Sequence, residues 1–307
     1  MGGAGIIVVA GEALIDLVPA GDGMLAAHPG GGPFNTARTL GRLERPVAYL
    51  GRISTDAFGA QLAGRLADDG VRLDAHVRTD DPTTLALVDL DERGSAHYRF
   101  YDAGTAAPGL TEAAALAALP DGVAALHVGT LGLVLEPMAA ALEALAAELA
   151  GRALVMVDPN CRPAVVTDPA AYRARLVRVL AHADVVKVSD DDLAWLAPGV
   201  PATDAARALL GQGPAVVLLT RGADGALALT GEAEEAVAAP PVDVVDTIGA
   251  GDAFSGGWLA WWSERGLGRA ELADAAVVAE ATRFACLVAA RTCERAGASP
   301  PWRAELA

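Results

Sequence analysis

Asp252 has more chemistry around it than any other residue of this chain. It sits in the run Val245-Asp246-Thr247-Ile248-Gly249-Ala250-Gly251-Asp252-Ala253-Phe254. Before it comes an apolar stretch with strand character (Val242, Val244, Val245); after it, Ala253 to Trp262 reads as a helix. Gly249 and Gly251, which lack a Cβ, fall at the corner. Successive amides there can face one concavity, and the helix start adds the positive end of its dipole. Such a corner makes an anion hole from Gly249, Ala250 and Gly251. A carboxylate beside it is a poor phosphate ligand but could take the proton of a hydroxyl that attacks a phosphate. The pairing suggests phosphoryl transfer to an alcohol, driven mainly by electrostatic positioning. The same residues also suit a plain tight turn with an acid that complements the helix dipole. This stretch alone leaves both readings open.

Other polar residues could complete such a site. Asp16 stands alone among Leu14, Ile15, Leu17 and Val18. A carboxylate in such surroundings needs partners, and sugar hydroxyls would supply them; a surface Asp on an alternating strand is the other reading. Gly30, Gly31 and Gly32 allow the backbone to approach a ligand closely. Phe34, Ala37, Leu40 and Leu43 then recur at helical spacing. Asn35, near that helix start, can donate to and accept from a hydroxyl, or simply cap the helix. Tyr98, Arg99 and Tyr101 alternate and could wall a substrate or form a polar face. Asp158, Asn160 and Arg162 follow a strand-like run, where Arg162 could meet a phosphoryl or acidic group or serve a capping network. Asp190, Asp191 and Asp192 open a helix, which suits its dipole without further function.

The elements that must position these residues follow from periodicity. Gly5 to Ala10 is a short, continuous, β-branched run, as in a buried strand. Strand-like and helical runs then alternate from Val123 to Leu219, which implies crossover units and a parallel sheet covered on both faces. Ligands in such sheets lie beyond the carboxyl ends of the strands. Two strands, Thr83 to Leu90 and Ala96 to Tyr101, flank a hairpin signal at Asp91-Glu92-Arg93-Gly94. The last helices are expected at Ala250 to Trp262 and Ala270 to Arg291.

Bulk properties narrow the function. The chain has 307 residues, 53% of them hydrophobic, enough for one large α/β unit. Its 39 acidic against 23 basic residues give a net charge of −16, which argues against a phosphate-neutralising nucleic-acid surface. Cys161, Cys286 and Cys293 form no Cys-x-x-Cys pair. That odd count, with no basic leader and no apolar run of membrane-spanning length, sets the expectation of a reducing cytoplasm.

Two separated motifs resemble one family. Asp246-Thr247-Ile248-Gly249-Ala250-Gly251-Asp252-Ala253-Phe254 is similar to the C-terminal signature of the ribokinase-like (PfkB-type) carbohydrate kinases, with Ile248 where a second Thr is usual. Gly30-Gly31-Gly32-Pro33-Phe34-Asn35-Thr36-Ala37 resembles their N-terminal signature, Gly-Gly-x-x-x-Asn-x-Ala, and Gly11-Glu12 followed by Asp16 resembles their first sugar-binding loop. The resemblance spans essentially the whole chain. It implies a single ribokinase-like α/β domain over residues 1–307, a mostly parallel sheet with helices on both faces. A small β-strand lid is implied from residues 12–30 and 83–103.

It further implies an ATP-dependent sugar kinase with Mg²⁺ and a K⁺ site beside Asp246 and Ile248. Asp252 would be the base. Asp16, Gly31, Gly32, Asn35, Tyr98, Arg99 and Arg162 would meet the sugar. Lys187, Ser189, Thr220, Gly222, Gly225, Gly249 and Gly251 would meet ATP. Ser189 and Asp192 replace the ends of the usual Asn-x-x-Glu, which leaves a direct metal role there open. Sugar and ATP are the implied partners, without nucleic acid or membrane, in a homodimer formed through the lid. The Gly11-Glu12 opening, Phe100-Tyr101 and Asp158-x-Asn160-x-Arg162 look like fructokinases; ketodeoxygluconate, ribose and nucleosides remain alternatives. A sugar-binding regulator without catalysis is a different class, and intact Asp252 and its glycines argue against it. A dinucleotide-dependent enzyme would need Gly-x-Gly-x-x-Gly after the first strand, which is missing.

Overall fold

The computed structural model describes residues 5–90 and 96–306; the expected turn at Asp91-Glu92-Arg93-Gly94 lies outside them. In chain order the strands are β1 (Ile6–Ala10), β2 (Leu14–Pro19), β3 (Leu25–Gly30), β4 (Val47–Leu50), β5 (Arg52–Ser54), β6 (Val77–Thr79), β7 (Leu85–Leu90), β8 (Ala96–Tyr101), β9 (Val123–Gly129), β10 (Leu154–Asp158), β11 (Val185–Ser189), β12 (Val216–Thr220), β13 (Ala226–Thr230) and β14 (Glu234–Val237). The α-helices are α1 (Gly32–Arg42), α2 (Ala57–Asp68), α3 (Glu112–Ala118), α4 (Met138–Leu149), α5 (Pro169–Leu180), α6 (Asp190–Leu196), α7 (Ala202–Leu210), α8 (Ala250–Glu264) and α9 (Ala275–Cys293).

β1 is buried at every position, which is why its sequence is a continuous apolar run. Ile6, Val8 and Ala10 pack on one side of the sheet, with Leu142, Leu176 and Leu209 of α4, α5 and α7. Ile7 and Val9 pack on the other, with Leu40, Leu62, Trp258 and Ala281 of α1, α2, α8 and α9. The eight-stranded sheet runs β14-β13-β12-β11-β10-β9-β1-β4. From β4 to β12 all pairs are parallel, and β13 is inserted antiparallel. Chain order reverses at β1, which lies between β9 and β4. That reversal opens a crevice at the carboxyl ends of β1 and β9.

α8 carries Asp252 into this crevice. It fits tightly between α1 and α9 because Gly256 and Gly257 lack side chains. A Cβ on Gly256 would lie 2.7 Å from Thr39 Cβ, and one on Gly257 3.0 Å from Val288 Cβ. Further along, the fully buried Trp258 stacks on Trp262 with ring centroids 4.6 Å apart. Truncating such a ring to Ala costs roughly 3–5 kcal/mol.

A second, four-stranded sheet, β3-β2-β7-β8, stands over the crevice. Its register places Leu14, Asp16, Ala86, Tyr98 and Phe100 on one face and Leu17, Leu87 and Arg99 on the other. Two expectations need correction. Val242 to Val245 is irregular, with Val244 and Val245 63% and 64% exposed. The amides of Val245 and Asp246 donate to Cys293 O rather than to a ladder. The expected helix from Ala270 is interrupted: Ala270–Ala273 is a 3₁₀ turn, and Asp274 caps α9 by accepting from the amides of Ala276 and Val277.

Candidate active site

The crevice holds a cavity of about 290 Å³ between the two sheets. Asp252 is 8% exposed in the first turn of α8. Its carboxylate accepts a hydrogen bond from Asn35 Nδ2 at 2.9 Å, and its carbonyl accepts one from Thr36 Oγ1 at 3.3 Å. The start of α1 is thereby tied to the start of α8. Asn35 Oδ1 is left buried without a protein partner among the described residues. Since a buried amide oxygen without a donor is costly, it marks where a ligand hydroxyl would donate. Burial pushes Asp252 up to about 6, helped by Asp158 and opposed by the bond from Asn35 and by Lys187 and Arg162.

The helix-start side of the cavity is built by backbone. Gly249 sits in the left-handed region at φ 77° as the N-cap of α8, a conformation that favours glycine. Space demands glycine too, because a Cβ there would lie 2.6 Å from Ala298 Cβ. Ala250 corrects the expected set of donors. Its amide already donates to Thr247 O at 3.2 Å, closing the turn. The amides of Gly249, Gly251 and Asp252 have no partner among the described residues, as at any open helix start. Lys187 Nζ reaches this corner from β11, 3.0 Å from where a Cβ of Gly251 would be. It is paired with buried Asp158 at 3.0 Å, and Asp158 also accepts from Ser255 Oγ. Burial opposes the charge on Lys187, but Asp158, Asp192 and Asp252 together hold its pKa above the ordinary value.

Across the cavity Asp16 comes from β2, and burial, reinforced by the charge of Asp252, pushes it up to about 6. Gly31 and Gly32 form the floor. A Cβ on Gly32 would lie 2.5 Å from Thr130 Cγ2 and 3.2 Å from Asp252 Oδ1, so even Ala would crowd the carboxylate. Tyr98 and Phe100 form a wall. Arg99 does not: the pleat of β8 sends it to the opposite, exposed face. Arg162 lines the cavity, with Nη1 donating to Asn160 O and Oδ1 and to Cys161 O. Its Nε and Nη2 make no hydrogen bond among the described residues and could reach a ligand. Asn160 holds a left-handed φ of 36°, a strained conformation of the kind found at binding loops.

The remaining expected nucleotide residues lie outside this cavity. Thr220, Gly222 and Gly225 occupy the β12–β13 connection, where Thr220 Oγ1 donates to Val188 O. Ser189 is occupied locally: with Asp192 it makes a reciprocal capping box for α6, and Asp192 also accepts from Cys161 N. Asp246 accepts from Ile248 N at 3.0 Å and Gly297 N at 2.8 Å, stapling two loops beside the anion hole. Reading the sequence alone placed Glu12 in a motif but gave it no role in the site. It lines the cavity 2% exposed and accepts from Thr130 Oγ1 and Gly132 N. Burial pushes it up to about 7 despite the bond from Thr130. Its signal was a lone charge between two buried apolar runs.

A buried carboxylate beside free helix-start amides and a cavity of this size suits a phosphotransferase acting on an alcohol. Residues 6–305 match the pfkB family of carbohydrate kinases, and the chain belongs to that family. It is 39% identical over 259 residues to a fructokinase of Rhizobium leguminosarum bv. trifolii, covering 83% of this chain and 79% of that protein. A fructokinase from Xylella fastidiosa, solved with bound ATP, superposes with a TM-score of 0.90 at 29% identity, covering 98% of this chain and 96% of that one. A fructokinase from Vibrio cholerae O395, solved with fructose, ADP and calcium ion, gives 0.87 at 29% identity, covering 99% and 98%.

Proposed function

We propose that the chain is an ATP-dependent fructokinase. The observation that carries this reading is the Asn35-held Asp252 carboxylate between unpaired helix-start amides and the cavity closed by Asp16. A primary hydroxyl of the sugar loses its proton to Asp252 as its oxygen bonds to the terminal phosphorus of ATP. The bond from that phosphorus to the bridging oxygen breaks, and ADP leaves with its electron pair. The amides of Gly249 and Gly251, with Lys187 behind them, face the charge on the transferring group. Asp16 and Asn35 Oδ1 accept sugar hydroxyls and fix which oxygen attacks. Among the described residues no group of three His, Cys, Asp or Glu side chains could hold a metal ion. Mg²⁺ would enter with the nucleotide phosphates, where it would neutralise phosphate charge.

The expected setting is the cytoplasm as a homodimer. No described helix is long and apolar enough to cross a membrane. The dimer reading rests on the outer face of the four-stranded sheet, where Leu25 and Tyr101 are 49% and 51% exposed. A coupled assay of ADP release over sugars, sugar acids and nucleosides tests the substrate. Fructose should show the highest kcat/KM. A different substrate ahead by about tenfold, or about 1.4 kcal/mol of transition-state binding, overturns the assignment.

A further inference from the structure

We infer that Arg38, Asp69 and Arg42 form a positioning clamp through which the sugar-side helix α1 holds the 297–300 loop against the anion hole. The three side chains are 5%, 2% and 7% exposed. Arg38 Nε donates to Asp69 Oδ2 at 2.6 Å and Arg42 Nε to Oδ1 at 2.8 Å. Two guanidiniums thus share one carboxylate, and among the described residues no second acid pairs directly with either. A buried charge is costly unless other acceptors answer it. Backbone carbonyls of the C-terminal loop do so. Arg38 Nη1 donates to Ala298 O at 2.7 Å, and Arg42 Nη1 to Pro300 O at 2.6 Å. The Arg42 guanidinium also lies 4.9 Å from the ring centroid of Trp302.

The held loop is in turn part of the phosphate corner. Ala298 is the residue whose methyl forbids a side chain on Gly249, and Gly297 N donates to Asp246 just upstream. The segment Glu294 to Trp302 has no helix or strand of its own, so these bonds are what set its place. Asn35, Arg38 and Arg42 follow i, i+3, i+7 spacing and therefore share one face of α1. One rigid helix face orients the base through Asn35 and sets the loop behind Gly249 through the two arginines. Filling the space alone would not need them, since apolar side chains of similar volume stabilise such positions equally or better.

The activity readout rests on the kinase reading above; the exchange readout does not. Arg38→Lys keeps a cation beside Asp69, but one ammonium lacks the fork that bridges Asp69 and Ala298 O. Ala298→Gly leaves the clamp intact and removes only the methyl behind Gly249. In each variant kcat should fall about tenfold, with the fructose KM changed less than about threefold. Amide hydrogen exchange should rise at 296–300 in Arg38→Lys and at 247–251 in both, while the four-stranded sheet stays as in the parent protein. A lowered melting temperature with kcat per folded molecule within about threefold of the parent overturns the clamp. If the parent protein proves inactive on every sugar, the fructokinase reading fails and exchange alone decides. Faster exchange at 247–251 then upholds the clamp, and unchanged exchange there overturns it.

Discussion

Replacing Asp252 with Asn should abolish most turnover and, at pH 8, stabilise the ligand-free protein. A positioned general base contributes roughly 10²–10⁴-fold, so kcat should fall by about that factor. The stability effect follows from burial. Asp252 rises from 3.8 to about 6 in the folded chain, a shift of about 2 units at about 1.36 kcal/mol each. The folded pKa lies above the unfolded one, so between about pH 4 and 6 the folded state holds the extra proton. The ionised carboxylate therefore costs about 3 kcal/mol, a cost that appears as pH rises through that window and is fully present above it. Asn keeps the size and an acceptor for Asn35 but carries no charge. At pH 8 its melting temperature should exceed the parent's by a few degrees, from roughly 1–3 kcal/mol of relieved burial. Near pH 4 the two proteins should melt alike. The assay is coupled ADP detection on the same preparations used for thermal scans at both pH values. The parent's kcat/KM should also fall below about pH 6, where the base takes up its proton. A kcat within about threefold of the parent removes Asp252 as the base. A lower melting temperature at pH 8 would return it to the role of helix-dipole acid.

Asp16→Ala should raise the fructose KM and spare ATP binding, since each lost charged hydrogen bond is worth about 1.5–3 kcal/mol; unchanged sugar kinetics would refute this. Lys187→Met should lower the unfolding free energy by about 3–5 kcal/mol or less, because Asp158 at 1% exposure would lose its partner and be buried unpaired or have to take up a proton; an unchanged urea midpoint would sink the argument that the pair must stay whole. Potassium should raise kcat over sodium, because a cation beside Asp246 and Ile248 would steady the amides facing the phosphate. Equal rates in potassium, sodium and a large organic cation would count against that site.

The sequence by itself determined the layers and singled out candidates for the reacting groups. A continuous apolar β1 and alternating runs require a buried parallel sheet with crossovers. The glycine corner ahead of Asp252 and the isolated Asp16 stand out by local spacing, which leaves a plain turn and a surface acid open beside the chemical reading. What the tertiary structure decided is which groups meet. Asn35 and Asp252 are 217 positions apart, and no periodicity relates them; the packing of α1 on α8 does. Period two in β8 says that Tyr98 and Arg99 face opposite ways, but only docking of the second sheet shows that Tyr98 and Phe100 face the cavity. Ser189 has the right type for a phosphate contact and is claimed by Asp192 three residues on, a competition settled by the actual α6 cap. Ala250 likewise gives its amide to Thr247. Arg38 and Arg42 have no partner nearby in sequence; Asp69 and the C-terminal carbonyls reach them only in the fold. Propensity and hydrophobic pattern act over a few residues, whereas electrostatic partners and free amides are properties of distances that only the closed fold sets.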